Sequence, residues 1–486
     1  MVAEHLISVK EVTKHCEADD CWIVVGNKVW DFTHFASVHP GGASVILRCA
    51  GHEATHSFHQ VHSDGLIEST LPSSKHMGNL DLNSIDDAWR QRSSDLSLKH
   101  TPKALEFSKP PLSSILSSHD FERVAQETLS KKAWAFYSSA ANDLISKQAN
   151  QSFYSRIWFR PRLMRDVTNV DTRCQFQGIG TSSPIMIAPA AMAKLAHETG
   201  EKGIARAAAA RNIIHCIATT ASYPLEDIVS AAPKANFFFQ LYVHKDRSVT
   251  ELLLKRVWAA GIRAIMVTID APVPGKREAD ERVRTEQVIS MPMTGTIARN
   301  DKSGSGLTRT TGGFIDSSLS WGDLPWLKKV WKGKVMLKGI QCVEDAQIAA
   351  QLGVQGIILS NHGGRNLDSS PPALLTLLEL HYHDPAIFQQ TEVYLDGGIA
   401  RGTDILKALC LGAKGVLIGR PFLYALNYGE EGVVHLTNIL QSELETAMKL
   451  VGINNVSQAH PGLVNTKAID HLVTATNFNA QREHKL

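Results

Sequence analysis

The chain lacks several signatures that would have decided its class at once. Its seven cysteines form no CxxC pair and no even framework, which excludes a disulfide scaffold and fits free thiols in a reducing compartment. No run approaches the roughly 18 consecutive apolar residues of a membrane helix, so no membrane span is expected. Lysine plus arginine (50) nearly equals aspartate plus glutamate (48), and no basic block stands out, so nucleic acid is not an expected partner. No G-x-G-x-x-G follows an early strand, which weighs against a doubly wound dinucleotide fold. The first residues, Met1–Glu11, are short of arginine and read as neither a secretory signal nor a mitochondrial presequence.

What is present separates into three regions. Residues 1–80 are histidine-rich and carry a hairpin signal: Trp22-Ile23-Val24-Val25, the turn Gly26-Asn27, then Val29-Trp30. Residues 81–112 are polar and end in Lys109-Pro110-Pro111, which reads as a linker. From residue 113 to 486 the pattern is α/β. Eight short apolar runs recur there: Ile185–Ala188, Ile213–Ile217, Phe237–Leu241, Ile265–Ile269, Val335–Leu337, Gly356–Leu359, Val393–Leu395 and Val416–Ile418. Helical spacing such as Gly200–Arg211 and Val343–Leu352 lies between them, so a (β/α)8 TIM barrel is the expected fold. The stretch from about 275 to 330, rich in Gly, Ser and Thr, reads as a mobile excursion over the barrel mouth.

Such barrels gather their chemistry at the C-terminal ends of the strands. The residues there are Pro189, Thr219, Gln240, Tyr242, Asp270, Lys338, His362, Arg365, Asp396 and Arg420. Any one of them alone would pass as a helix cap or a surface charge; the set does not. Gly397-Gly398 and Gly419-Arg420, after the last two strands, form a phosphate-binding signal. In Ser360-Asn361-His362-Gly363-Gly364-Arg365, a base that titrates near neutrality stands three residues from a planar fork for a carboxylate. Oxidation of a 2-hydroxy acid needs that combination.

In order and spacing these residues resemble the FMN-dependent L-2-hydroxy acid dehydrogenase and oxidase family over about residues 110–460. The motifs are Ala135–Ala140, Gln240-Leu241-Tyr242, Thr268–Pro272, Lys338-Gly339, Ser360–Arg365, Asp396–Gly398 and Gly419–Phe422. The resemblance implies that His362 takes the substrate proton and that Asp270 stabilises the imidazolium. Arg365 and Tyr137 would hold the carboxylate, with Tyr242 at the hydroxyl and Arg277 as a second active-site arginine. Lys338 would stabilise the reduced flavin, and Gln240 and Thr268 would contact its ring. Pro189, Thr219, Asp396, Gly397, Gly398, Gly419 and Arg420 complete the implied cofactor contacts. Two positions depart from the family pattern. Ala400 stands where an arginine usually serves the flavin phosphate, leaving Arg420, with Arg401 as a possible substitute. Thr220, facing Ala191, stands where lactate-specific members have leucine, which puts lactate itself in doubt.

The first region resembles a cytochrome b5-type haem domain through Val29–Thr33, His39-Pro40-Gly41-Gly42 and Val61-His62-Ser63. That implies haem b held by His39 and His62, with no open position on the iron. A metal site from His52, His56 and His59 is the alternative at this end. Haem domain followed by flavin barrel resembles the flavocytochrome L-lactate dehydrogenase family. It implies oxidation of a small L-2-hydroxy acid, electron flow from FMN to haem and then to an acceptor such as cytochrome c, and a homotetramer. Two other readings stand beside it: an oxidase giving electrons directly to oxygen, and a non-redox phosphate-binding barrel with a cytochrome-like interaction module. The expected compartment is the cytosol. The mitochondrial intermembrane space follows from the resemblance, and the terminal His484-Lys485-Leu486 loosely matches a peroxisomal address.

Overall fold

A computed structural model describes residues 6–39, 43–59, 62, 65–87, 89–90, 109–284, 289–298, 300 and 306–474. The Pro40-Gly41-Gly42 turn, Val61, Ser63, Ser303–Ser305 and the terminal His-Lys-Leu lie outside the described residues. The chain divides into two compact units, residues 1–108 and 109–486.

The first unit holds a five-stranded sheet in the order Leu6–Ile7, His76–Leu80, Lys28–Asp31, Asp20–Val25, Cys16–Glu17. The expected hairpin is there. Gly26 and Asn27 take φ of 60° and 64°, the left-handed pair that a two-residue turn requires, and Val24 and Ile23 lie opposite Val29 and Trp30. Because side chains alternate along a strand, this hairpin serves two cores. Ile23, Val25 and Trp30 pack with Phe32, Cys49, Ala54, Ile67 and Leu71. Val24 and Val29 point the other way, onto Ile7, Val9, Val12, Leu80 and Trp89. Trp89 is buried, so the packing of this unit continues past residue 80 into the stretch read as a linker.

In the second unit eight parallel strands close into a barrel: Ile185–Ile187, Ile214–Ala218, Asn236–Leu241, Ala264–Thr268, Lys334–Ile340, Gly356–Leu359, Glu392–Asp396 and Gly415–Ile418. Each falls on one of the eight apolar runs, and the helix Gly200–Arg211 has the bounds that its spacing predicts. Alternation again sorts the residues. Met186, Cys216, Phe238, Met266, Met336, Ile358, Tyr394 and Leu417 fill the barrel, and Phe176, from the hairpin Cys174–Phe176 and Ile179–Thr181, stacks against Tyr394. The excursion after the fourth strand is more than a plain loop. Its described parts include the helix Glu278–Arg282, the paired strands Ile289–Met291 and Thr296–Ala298, and the helix Leu307–Thr311. A buried ion pair, Lys132 to Asp280 at 2.6 Å, ties the excursion to the helix Lys131–Ser138. Among the described residues no helix is long and apolar enough to cross a membrane.

Candidate active site and haem-binding site

Two residues beyond each barrel-filling side chain, the next inward position reaches the mouth. Those positions are Ala188, Ala218, Gln240, Thr268, Lys338, Ser360, Asp396 and Gly419, and all but Ser360 line one cavity. Two residues further on stand Ala190, Thr220, Tyr242, Asp270, His362 and Gly398. A period of two therefore stacks three layers: core, floor, reacting groups. The expected residues Tyr137, Pro189, Ala191, Arg277, Arg365, Gly397 and Arg420 line the same cavity.

His362 sits at φ 58°, a left-handed conformation costly for a side chain with a Cβ. Its imidazole Nδ1 is 2.8 Å from Asp270 Oδ1, and its backbone N–H donates to Ser360 Oγ at 3.0 Å. A carboxylate on Nδ1 selects the tautomer protonated there, which leaves Nε2 with the lone pair. Burial pushes the His362 pKa below its ordinary value, with Asp270 opposing the shift. Burial alone would raise the Asp270 carboxyl, but the facing His362 and Lys338 hold it below the usual range. Lys338 lies 2.8 Å from Asp396 and 2.9 Å from Ser360 Oγ. Burial works against its charge, yet Asp396 and Asp270 outweigh it and raise the ammonium's pKa. Gly339 makes this convergence possible: at φ 113° it has no side chain, and a Cβ there would stand 2.6 Å from that of Asp270.

The carboxylate end is crowded with arginine. Arg365 donates to the carbonyls of Tyr137 (2.9 Å), Ser139 (3.1 Å) and Phe136 (2.9 Å), capping the helix Lys131–Ser138. Three of its five N–H donors are thus engaged and two remain. Arg277 is buried beside it, donating to Arg365 O at 3.1 Å and to Thr308 Oγ1, and burial lowers its pKa to about 10. The Tyr137 hydroxyl donates to Met192 O at 2.6 Å. Tyr242 is pushed up to about 12, by burial first and then by Asp270. Ala191 and Thr220 both line the cavity wall. Thr219 does not. Its hydroxyl donates to Gln240 O at 2.6 Å and its N–H to Gln240 Oε1 at 3.1 Å, which holds Gln240 against Thr268 Oγ1.

At the glycine-rich end, Gly398 runs at φ 77° so close to the helix Ile145–Ser155 that a Cβ would fall 1.9 Å from Asn150 O. Arg420 donates through Nη2 to Gly363 O at 2.7 Å. Its buried Nη1 has no hydrogen-bond partner, nor has Asp396 Oδ1. A buried acceptor atom and a buried guanidinium donor left unsatisfied at one mouth fit a polar ligand with an anionic end, and so fit FMN. Arg401 is no substitute for the missing arginine at Ala400: its guanidinium bonds Glu443 Oε1 at 2.6 Å. Thr308 and Met192 were not read from the sequence, and Ser360 stood there only as part of the motif, with no role of its own. Of these, Ser360 carries a signal, being two residues from both Ile358 and His362.

In the first unit the rings of His39 and His62 stand 6.1 Å apart between centroids, at 78°. Two metal–nitrogen bonds of about 2 Å, plus about 1 Å from each nitrogen to its ring centre, sum to about 6 Å. The spacing fits an iron held between them. His39 follows the short helix Ala36–Val38, and the His62 N–H donates to Phe58 O at 2.9 Å, which ties it to the helix Thr55–His59. Phe35 meets the His39 ring edge-on at 5.8 Å, and Phe58 lies tilted against the His62 ring at 5.0 Å. The alternative metal site includes His56, whose side chain lies outside the described residues.

Comparison with known proteins agrees with both halves. A family model described as FMN-dependent dehydrogenase matches residues 125–466, and one described as cytochrome b5-like heme/steroid binding domain matches residues 8–81. L-lactate dehydrogenase (cytochrome) of Wickerhamomyces anomalus is 39% identical over 463 residues, 94% of this chain and 79% of the relative. Glycolate oxidase of Spinacia oleracea is 40% identical over 355 residues, 71% of this chain and 95% of the relative. A double mutant of flavocytochrome b2 with pyruvate bound superposes with a TM-score of 0.68 at 38% identity, covering 81% of this chain and 97% of that one. The chain belongs to the FMN-dependent dehydrogenase family, as an FMN- and haem-containing oxidoreductase whose cytochrome b5-like domain precedes its barrel.

Proposed function

We propose that the chain oxidises a small L-2-hydroxy acid, L-lactate or a close analogue, to the 2-oxo acid. The observation that carries this reading is the His362–Asp270 pair at 2.8 Å, opposite Arg365 and Arg277 in one cavity. Arg365 binds the substrate carboxylate with its two remaining donors, Tyr137 joins it by turning its O–H from Met192 O to the carboxylate, Arg277 is a second cation at that end, and Tyr242 stands at the hydroxyl. His362 takes the proton on Nε2, and Asp270 stabilises the resulting imidazolium, as a buried anion beside a general base does. When bound, FMN would supply the two-electron acceptor for the substrate, and the haem held by His39 and His62 would supply a one-electron centre for the onward transfer, used twice per substrate. Lys338 keeps a fixed cation at the floor, where the charge of the reduced cofactor is to be balanced. Gln240 and Thr268 present polar groups to the ring, and Gly397, Gly398, Gly419 and Arg420 take the phosphate. His39 and His62 ligate the haem iron.

We take residues 1–80 as the haem domain, to whose packing Trp89 adds, 81–112 as the link that begins with that contact, and 113–486 as the flavin barrel. Cytochrome c is the external acceptor we favour, supported by the name of the relatives that match nearly the whole chain. Family resemblance supports a homotetramer, and the protein is placed in the cytosol unless its terminal tail is read as an address. The test is a visible spectrum of the full-length protein, oxidised and then mixed without oxygen with L-lactate, glycolate, L-2-hydroxybutyrate and L-mandelate. Flavin bleaching followed by the reduced-haem bands is expected with at least one acid. A colourless protein, or one that none of the acids reduces, overturns the reading. Oxygen uptake that outpaces cytochrome c reduction would favour the oxidase instead.

A further inference from the structure

Glu201 is a carboxylate that the mechanism above does not use. It lies in the first turn of the helix Gly200–Arg211 and is 1% exposed. A glutamate there ordinarily caps its own helix, but the partners of this one lie elsewhere. Its Oε1 accepts the backbone N–H of Ala193 at 3.0 Å and that of Ser222 at 2.8 Å. Ala193 belongs to the loop after the first barrel strand, which carries Ala191 and Met192. Ser222 belongs to the loop after the second, which carries Thr220. One oxygen therefore joins the two loops that wall the substrate pocket.

The residue between clamp and pocket is strained. Met192 holds φ 56°, ψ 45°, the left-handed conformation that a side-chain-bearing residue rarely adopts. Strain of this kind persists only where the surroundings over-determine it. Three bonds do so here: Met192 N–H to Thr220 O at 3.2 Å, Tyr137 O–H to Met192 O at 2.6 Å, and Ala193 N–H to Glu201. The chain of contacts runs from Glu201 through the Met192 backbone to the Tyr137 hydroxyl.

We propose that Glu201 is a positioning residue, which sets the width of the pocket between Ala191 and Thr220 and, through the Met192 carbonyl, the place where the Tyr137 hydroxyl rests before it turns to the substrate. The proposal rests on the assignment of Tyr137 to the substrate carboxylate. Glu201→Gln keeps an oxygen that can accept both N–H groups. Glu201→Asp retains the carboxylate but falls one methylene short of reaching both loops. Glu201→Ala removes the clamp.

The full-length, flavin- and haem-loaded variants are compared in two ways. Hydrogen exchange of peptides covering residues 190–196 and 219–224 reads the clamp without reference to turnover. An increase of about tenfold in Asp and Ala, with little change in Gln, is expected for two buried amides that lose their acceptor. Steady-state kinetics with L-lactate and L-2-hydroxybutyrate read its effect on the site. KM should rise about tenfold in Asp and Ala with kcat within about threefold, and the preference between the two acids should shift, whereas Gln should stay near wild type. If Ala does not fold, the Asp and Gln pair decides. Equal exchange in Gln and Asp overturns the clamp. A fall in kcat equal to the rise in KM, or an unchanged preference, overturns the positioning role. A wild type that neither acid reduces would count against the proposed function, and the exchange comparison would still judge the clamp.

Discussion

The barrel and the haem unit both hold a large prosthetic group, and they do so from opposite starting points. In the barrel, the site is laid on a finished core: eight side chains fill the interior, and the floor residues are buried and bonded to one another. In the small unit, His39 and His62 are only half-buried at the ends of short helical pieces, each leaning on a phenylalanine. Its two clusters hold ten and seven fully buried side chains, one on either face of a single sheet. A unit of this size buries too little of its own surface to be very stable, so its ligand becomes part of the core. The flavin site should therefore survive loss of its cofactor as a fold, whereas the haem site should not.

The largest effect that tests this contrast is chemical. His362→Gln should retain FMN and an unchanged barrel melting transition, while flavin reduction by substrate falls by about 10²–10⁴. Stopped-flow absorbance checks it, and near wild-type reduction would remove His362 from the mechanism. The sign of the pH dependence follows from burial. The base works in its neutral form, and burial lowers its pKa, so the fall of kcat/KM toward acid pH should be centred below the ordinary histidine value. A fall centred above the ordinary histidine value would contradict that environment.

Next in size is the effect of losing a haem ligand. His39→Ala and His62→Ala should each abolish the low-spin haem spectrum and lower the melting transition of the small unit by on the order of 10 °C. Flavin reduction and the barrel transition should stay near wild type. Calorimetry of the full chain separates the two transitions. A small unit equally stable without its haem would erase the proposed difference between the units.

The smallest expected effect concerns pocket shape. Thr220→Leu adds apolar bulk opposite Ala191 and should change the kcat/KM ratio of L-lactate to L-2-hydroxybutyrate by about tenfold in favour of lactate, the scale of one methylene in a tight pocket. An unchanged ratio would mean that Thr220 does not face the substrate side chain.

Much of this was legible in the chain because strand alternation is local. Once eight apolar runs are seen, the inward positions follow, and counting on by two reaches Gln240, Thr268 and Lys338, then Tyr242, Asp270 and His362. The Gly26-Asn27 hairpin was equally readable, since two adjacent left-handed residues state their own turn. Other features depend on which side chains meet across the barrel, and no local pattern encodes that. Arg401 reads as a phosphate ligand until Glu443, on the helix Gly429–Val451, claims it. Thr219 reads as a cofactor contact, yet its hydroxyl serves Gln240 from behind. Arg365 reads as a free fork, and three of its donors already cap a helix more than 200 residues away.

The sequence by itself determined the fold and the two cofactors and pointed to many of the residues that line the cavity, because periodicity and short motifs are set by neighbours along the chain. Only the tertiary structure decided the state of each group. The tautomer of His362, the charge on Lys338, the direction of the Tyr137 hydroxyl and the reach of Glu201 depend on partners brought together by barrel closure, and a buried charge or donor takes its character from the partner it meets.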